Sequence, residues 1–281
     1  MFQPIAKVIC DSLNVITGDR LTTMIIKYHR FIHSEILAHR SLSRNSSSSR
    51  AIPINKLIQN VIDDDVYPLH WGKNQKGMQA FKEISESDIE QAKRLWEVAR
   101  NNAINSARQL ADLGVHKQVV NRILEPFSTI TVIVSGTEWS NFFKQRCHEE
   151  AQPEIRILAN EMYKEMHNAY HNSKPNKLSV GDWHIPLLDD NDDLIEVSKA
   201  LKISAGRCAR VSYLNHEGKR NIEDDIALHN RLLSSDPKHL SPFEHQALVQ
   251  ARSKSEYFGN FRGFKQYRKF IEENDQTYLR Y

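Results

Sequence analysis

Residues 21–28, LTTMIIKY, are rich in β-branched and apolar side chains and read as a strand. After His29, RFIHSEILAHR sets Phe31, Ile32, Ile36 and Leu37 at helical spacing. A strand therefore feeds a helix, and the helix runs out near His39–Arg40 into SLSRNSSSSRAIP. That stretch has no glycine, and its arginines fall at fixed offsets: Ser48 stands eight residues after Arg40, and Arg50 two further. Serine hydroxyls and free backbone N–H groups can cradle a phosphate, and a guanidinium matches it with a planar fork of donors. The plainer alternative is a polar loop whose arginines cap a helix end, and spacing alone leaves both open.

A second strand–helix pair lies further along. STITVIVSG (128–136) reads as a strand, and TEWSNFFKQRC returns to helix with Trp139, Phe142 and Phe143 on one face. Between the pairs, Ser87 and Glu90 have capping-box spacing for a long helix. Its stripe comprises Ile89, Ala92, Leu95, Trp96, Ala99, Ala103, Ala107 and Leu110, and Gly114 stops it. VHKQVVNRILE predicts a shorter helix closed by Pro126, and QPEIRILANEMYKEMHNAY another, with Pro153 in its first turn. Residues 171–194, with Pro, Gly and the acidic run DDNDD, read as a linker. Beyond it, ISAGRCARVSYL is strand-like, residues 221–234 are an amphipathic helix, KHLSPFEHQALVQARS is a turn and then a strand, and GNFRGFKQYRKFIEEN is helical. Ser241 and Glu244 have capping-box spacing.

Composition bounds the function. The chain has 281 residues, 40 % apolar and 26 % charged, which suits one large domain or two packed ones. A net charge of +3 is too mild to imply nucleic acid and suits a small anionic ligand. Three cysteines at spacings unlike any metal site predict no metal and a reducing, cytoplasmic setting. No apolar run approaches a membrane span, and MFQPIAKVICDSLN is unlike a signal peptide. Arg122 and Arg146, taken singly, read as solvated surface charges, and Cys208 as a small packed residue.

Together these segments resemble the flavin-dependent thymidylate synthases. The signature of that family is Arg-His-Arg, seven residues, then Ser; His39-Arg40 and Ser48 match it, with Asn45 and Arg50 in place. ARVSY (209–213) and SPFEH (241–245) resemble the family's flavin-side segments. RILEPFSTITVIVSGTEWSNFFKQR (122–146), followed by AQPEI (151–155), resembles its substrate-binding core. Two departures stand out. Ala38 replaces the first arginine, and ARVSY and SPFEH follow the signature instead of preceding it, as in a circular permutation or a divergent branch with a duplicated strand–helix unit.

The resemblance implies an α+β fold: a mostly antiparallel sheet flanked by helices, with a helical segment at 78–125. It implies one domain over 1–281, with signature and helical core in 1–170 and a flavin-side segment in 195–281. It implies a homotetramer and reductive methylation of dUMP to dTMP, with methylenetetrahydrofolate and NADPH as co-substrates and FAD as cofactor. Arg146 and Ser48 take the catalytic positions. Glu35, Arg40, Ser46, Ser47, Ser48, Ser49, Arg50, Arg122, Arg146 and Gln266 are the expected dUMP contacts. His39, Arg40, Asn141, Ser212, His239, Ser241 and Glu244 are the expected FAD contacts. RGFKQYRK (262–269) resembles the helix leading into the signature, so Gln266 or Arg268 is expected to stand in for interactions missing at Glu35 and Ala38. YPLHWGKNQKGMQA (67–80) is either a lid over the folate, through His70, Trp71 and Lys73, or a surface loop packed by Trp71. Two other functions stay open: a hydroxymethylase of the same fold, and a nucleic-acid clamp built on the Ser/Arg stretch.

Overall fold

The computed structural model describes residues 1–189, 195–211, 221–251 and 258–274. Strands β1 (Ile5–Asn14) and β2 (Arg20–His29) form a hairpin. The Asn14 side chain accepts from the N–H groups of Ile16 and Thr17, and Gly18 takes φ +74°, a left-handed conformation open to glycine without strain. Then come α1 (His33–Leu37), β3 (Ser43–Ser46), α2 (Ile54–Asp64), α3 (Glu86–Asp112), α4 (Lys117–Val120), β4 (Thr129–Gly136), α5 (Ser140–Arg146) and α6 (Pro153–Asn168). The remainder comprises β5 (Asn176–Leu178), β6 (Trp183–His184), α7 (Val197–Arg210), α8 (Ile222–Ser234), β7 (Ala247–Val249), β8 (Phe264–Gln266) and α9 (Tyr267–Glu272). One sheet has the order β3-β4-β2-β1-β5, antiparallel except for β1 beside β5, and a smaller one the order β6-β7-β8. This is the expected α+β architecture.

Side chains alternate across a strand, so β2 serves two layers. Met24, Ile26 and Tyr28 join Val132 and Val134 of β4 and meet Phe142 of α5 and Ile155, Leu158 and Met162 of α6. On the opposite face Leu21 packs with Val249, Phe261 and Phe264, and Ile133 packs with Cys208 and Val211. The sheet is thus sandwiched between α5–α6 and the C-terminal part of the chain. That second layer is partly polar. His184 bonds Ser12 and Thr23 (both 2.8 Å), Thr23 bonds Ser135 (2.6 Å), and Ser135 bonds His245 (2.9 Å). Burial, reinforced at His184 by the charge His245 carries when protonated, pushes both histidines down to about 3, so they are neutral at ordinary pH.

Several expectations are corrected. ISAGRCAR belongs to helix α7, not to a strand. Its small residues serve close packing: a Cβ on Gly206 would lie 2.3 Å from the Asp225 carbonyl oxygen of α8. The 171–194 stretch is no plain linker, since β5 pairs with β1 and β6 pairs with β7; of the acidic run, residues 190–193 lie outside the described residues. Helix α3 is capped by Ser85, which accepts from the N–H of Asp88, and Leu95 is 63 % exposed, so the stripe narrows to Trp96, Ala103, Ile104, Ala107 and Leu110. VHKQVVNRILE splits into α4 and a 3-10 turn (Asn121–Phe127) that contains Pro126. GNFRGFKQYRKFIEEN opens with β8 before α9, and Ser241–Glu244 is a 3-10 turn without a side-chain cap. Among the described residues no helix is long and apolar enough to cross a membrane.

Candidate active site

The signature occupies the turn from α1 into β3. The N–H of His39 bonds the Ile36 carbonyl, the N–H of Leu42 bonds the His39 carbonyl, and buried Leu42 anchors the turn in the core. Arg146, at the end of α5, closes on this turn. Its Nη1 pairs with Glu35 Oε2 at 2.7 Å, and its Nε donates to His39 Nε2 at 2.8 Å. His39 is buried edge-on against Phe142. Burial, then the nearby charges of Arg146 and Arg44, hold the imidazole below its ordinary pKa. A neutral ring accepting at Nε2 carries its proton on Nδ1. Arg146 is thereby oriented by two acceptors while its pair with Glu35 stays partly open to solvent.

Arg44 lies against the backbone turn that carries Ala38. Ala38 is exposed, and Arg44 Nη1 reaches the carbonyls of His39 and Ile36 (3.3 Å to Ile36). A guanidinium thus lies against the signature backbone although the first signature arginine is absent. Arg44 was legible only as one of the three arginines in the Ser/Arg stretch.

The serines sort by alternation. Ser47 and Ser49 are buried: Ser47 Oγ accepts from the N–H of Thr131, and Ser49 Oγ donates to Glu125 Oε1 at 2.6 Å. Ser46 and Ser48 are half-buried, and Arg50 is exposed. The turn is clamped by Arg30, which donates to Ser47 O (3.2 Å) and Ser128 Oγ (3.1 Å). Arg30 was not foreseen, since in sequence it is one basic residue between a strand and a helix. Arg122, expected at the nucleotide, is 55 % exposed and pairs with Glu125 at 2.9 Å. Nearby, burial and the charges of Arg30 and Arg44 push His33 down to about 4, and its Nδ1 lies 2.7 Å from the Tyr28 hydroxyl.

The C-terminal segments reach the signature from across the chain. Asn45 donates to Cys208 O (2.8 Å) and accepts from Ser241 Oγ (3.1 Å). Ser43 Oγ accepts from Gln266 Nε2 (2.8 Å) and Asn260 Nδ2 (3.0 Å). Gln266 also donates to Glu244 O (2.9 Å), and Arg268 pairs with Glu244 Oε1 at 2.5 Å. The expected replacement therefore takes another form: Glu35 keeps its partner in Arg146, while Gln266 and Arg268 act at Ser43 and Glu244. Asn260 carried no sequence signal.

Two groups of predicted residues thus emerge. Glu35, His39 and Arg146 meet; Ser241, Glu244 and Gln266 meet at β3, beside Arg44, whose guanidinium feels the Glu244 carboxylate. Arg40, Asn141 and His239 are exposed, and Ser212 lies outside the described residues. Arg40, Asn141 and His239 thus offer an exposed guanidinium, amide and imidazole, groups able to bond a phosphate.

Beside Arg146 opens a groove of about 650 Å³, lined by Glu35, Phe31 and Trp96, by the turn before α6, and by residues 78–81. In the Tyr67–Ala80 segment Trp71 lies edge-on to Trp96 (6.3 Å), and His70 Nε2 bonds Ala80 O (2.6 Å).

Residues 20–170 match the family model described as thymidylate synthase complementing protein; the span includes the signature, Arg122 and Arg146 and ends before the C-terminal segments. Among curated proteins the chain has no significant match. Solved structures to which it is similar include a UMP/dUMP methylase, PolB from Streptomyces cacaoi, bound with 5-Br UMP, at TM-score 0.48 and 15 % identity over 60 % of this chain and 90 % of that one. The same methylase bound with 5-Br dUMP gives a TM-score of 0.45 and 14 % identity over 60 % and 91 %. With more than half of its length matched, the chain belongs to the thymidylate synthase complementing protein family and is an enzyme of the methyltransferase class.

Proposed function

We propose that the protein reductively methylates dUMP to dTMP, with the carbon from methylenetetrahydrofolate and the reducing equivalents from NADPH by way of FAD. The observation that carries this reading is Arg146, a guanidinium held by neutral His39 and by Glu35 at the mouth of a groove. C5 of uracil is a poor nucleophile unless the ring first gains enolate character, with negative charge on the pyrimidine oxygens. A cation fixed before the reaction stabilises that charge without reorganisation, and losing one such donor costs about 10²–10³ in rate.

In this reading Ser46, Ser48, Arg50 and the backbone between them hold the nucleotide phosphate, with Arg122 beside them. Ser48 positions the nucleotide and does not attack it, for no base stands next to it in sequence. Ser47 and Ser49 keep the turn in shape from beneath. His39, Arg40, Asn141, Ser212, His239, Ser241 and Glu244 are the proposed flavin contacts. When bound, FAD supplies hydride; the protein supplies orientation, charge and exclusion of water.

The test is an anaerobic assay of purified protein with FAD, dUMP, methylenetetrahydrofolate and NADPH, with the nucleotide product read by mass spectrometry. Formation of dTMP that depends on added FAD is expected. A hydroxymethyl product, or none in a protein that binds flavin, overturns the methylation reading.

A further inference from the structure

We propose that His184, Thr23, Ser135 and His245 form a proton relay through the core, and that His245 lends the flavin a proton for as long as it holds hydride. This rests on the function proposed above and adds His245 to the residues at the cofactor.

The relay starts on β1. Ala6 and Val8 pack on the α5–α6 side of the sheet, and the register with β2 slips between Val8 and Cys10. A bulge re-aims the side chains that follow it. Ser12 thereby faces the C-terminal layer, where its Oγ lies 2.8 Å from His184 Nδ1. Cys10 Sγ stands 3.5 Å from the same nitrogen, and Cys10 borders a polar groove of about 420 Å³ that Glu165, Asn172 and Lys174 also line. From His184 Nε2 the chain continues through Thr23 Oγ1 (2.8 Å) and Ser135 Oγ (2.6 Å) to His245 Nδ1 (2.9 Å). Ser12, His184, Thr23, Ser135 and His245 are each at most 1 % exposed.

Every link joins groups that can both give and take a hydrogen. A neutral imidazole carries one N–H and one bare nitrogen, so the chain has two orders. In the first, Ser12 donates to His184 Nδ1, every hydrogen points onward, and His245 presents Nε2–H. In the second, all four bonds are reversed and His245 Nε2 is bare. His184 and His245 therefore always share one tautomer. Passing from the first order to the second takes in one proton at Ser12 and releases one at His245 Nε2. Both rings stay neutral at rest, as their burial demands.

The far end points to the recipient. His245 Nε2 is buried and has no hydrogen-bond partner among the described residues. Native folds rarely leave a buried polar atom bare without a use for it. His245 directly follows Glu244, a proposed flavin contact whose carbonyl is held by Gln266. Reducing FAD consumes the hydride of NADPH, with its two electrons, and one proton besides. His245 Nε2–H supplies that proton. Ser12 regains one from the groove by way of the Cys10 thiol, which contacts it. When hydride leaves for the one-carbon unit, the proton returns to Nε2 and every bond is reset.

The experiment combines histidine nitrogen NMR with stopped-flow reduction of bound FAD by NADPH, both on the full chain. His184 and His245 should show one shared tautomer, and anaerobic reduction of the bound FAD by dithionite should switch both. In Thr23→Val, which keeps the shape and removes the link, the switch at His245 should no longer reach His184. The same variant should reduce its FAD about 10²-fold more slowly, with FAD affinity unchanged. Thr23→Ser keeps the hydroxyl and should recover most of that rate. Opposite tautomers in the wild type, tautomers indifferent to reduction, or a wild-type rate in Thr23→Val overturns the relay. A loss in Thr23→Ser as large as that in Thr23→Val marks packing alone and overturns it too. Where Thr23→Val does not fold, the wild-type tautomers before and after reduction decide. A chain that binds no FAD overturns both readings. If the tautomers switch together and FAD is reduced but no dTMP forms, the functional reading fails and the relay stands.

Discussion

Arg146 Nε donates to His39 Nε2 across 2.8 Å, joining the end of α5 to the signature turn over 107 residues of sequence. His39 is thereby an orienting acceptor. His39→Ala should leave Arg146 tethered by Glu35 alone and lower kcat by up to about 10²-fold. His39→Gln, which can still accept, should recover much of that loss. Steady-state dTMP formation on both variants checks this; equal losses in the two would refute the orienting role. Arg146→Ala should cost about 10²–10³ with the thermal midpoint nearly unchanged.

The serine turn predicts a separation of function from stability. Ser49→Ala removes a buried donor to Glu125 and should destabilise by about 1–3 kcal/mol. Ser48→Ala should leave stability alone and weaken dUMP binding. Urea melts and dUMP titrations on the two variants settle it, and a stability loss at Ser48 would contradict the alternation described.

Stability should fall steeply in acid. His184 and His245 are held near 3 and His33 near 4, against an ordinary value near 6.5. Between those values the unfolded chain binds protons that the folded chain refuses, so stability rises with pH across this window and is lost as pH falls from about 6.5. Each such histidine contributes a slope of up to about 1.4 kcal/mol per pH unit. Thermal midpoints of His245→Gln against pH should fall less steeply below pH 6.5 than those of the wild type. Identical slopes would show that His245 accepts a proton in the fold.

Gly206→Ala should loosen α7 from α8. The added methyl would lie 2.3 Å from a backbone oxygen that cannot swing aside, so the helices must separate. A loss of about 1–3 kcal/mol in urea unfolding is expected, and an unchanged midpoint would mean that α8 yields freely.

Gln266→Leu should unseat the C-terminal segment. It withdraws a donor from Ser43 and from the Glu244 carbonyl while keeping similar bulk. Faster proteolytic cleavage within 221–251, together with weaker flavin binding, is the expected pair of outcomes. Weaker flavin binding without added cleavage would place Gln266 at the ligand.

Strands β2 and β4 and helices α5 and α6 were legible because each pairs a strong period with a buried face. Helix α7 was not: Ser204, Ala205, Gly206 and Cys208 are small because α8 and the sheet lie close, and small residues carry little periodic signal. β5 and β6 were lost in polar composition, since their pairing with Ser12–Asn14 and with β7 is non-local. Spacing marked Arg40, Ser48 and Arg50 as candidates, and the resemblance added His39 and Arg146. Spacing could not reveal that Arg44 bonds the signature backbone, or that Ser47 and Ser49 face inward.

The meeting of Ser43 with Gln266, 223 residues apart, also bears on how the protein is made. Translation runs at about 5–20 residues per second, so the signature turn leaves the ribosome on the order of tens of seconds before its last partner exists. Throughout that time β3 is an open strand edge with unmatched polar groups, the kind of surface that pairs with the wrong chain. Its serines, Asn45 and Arg44 are poor material for such pairing. The polar character of this segment thus guards it while it waits.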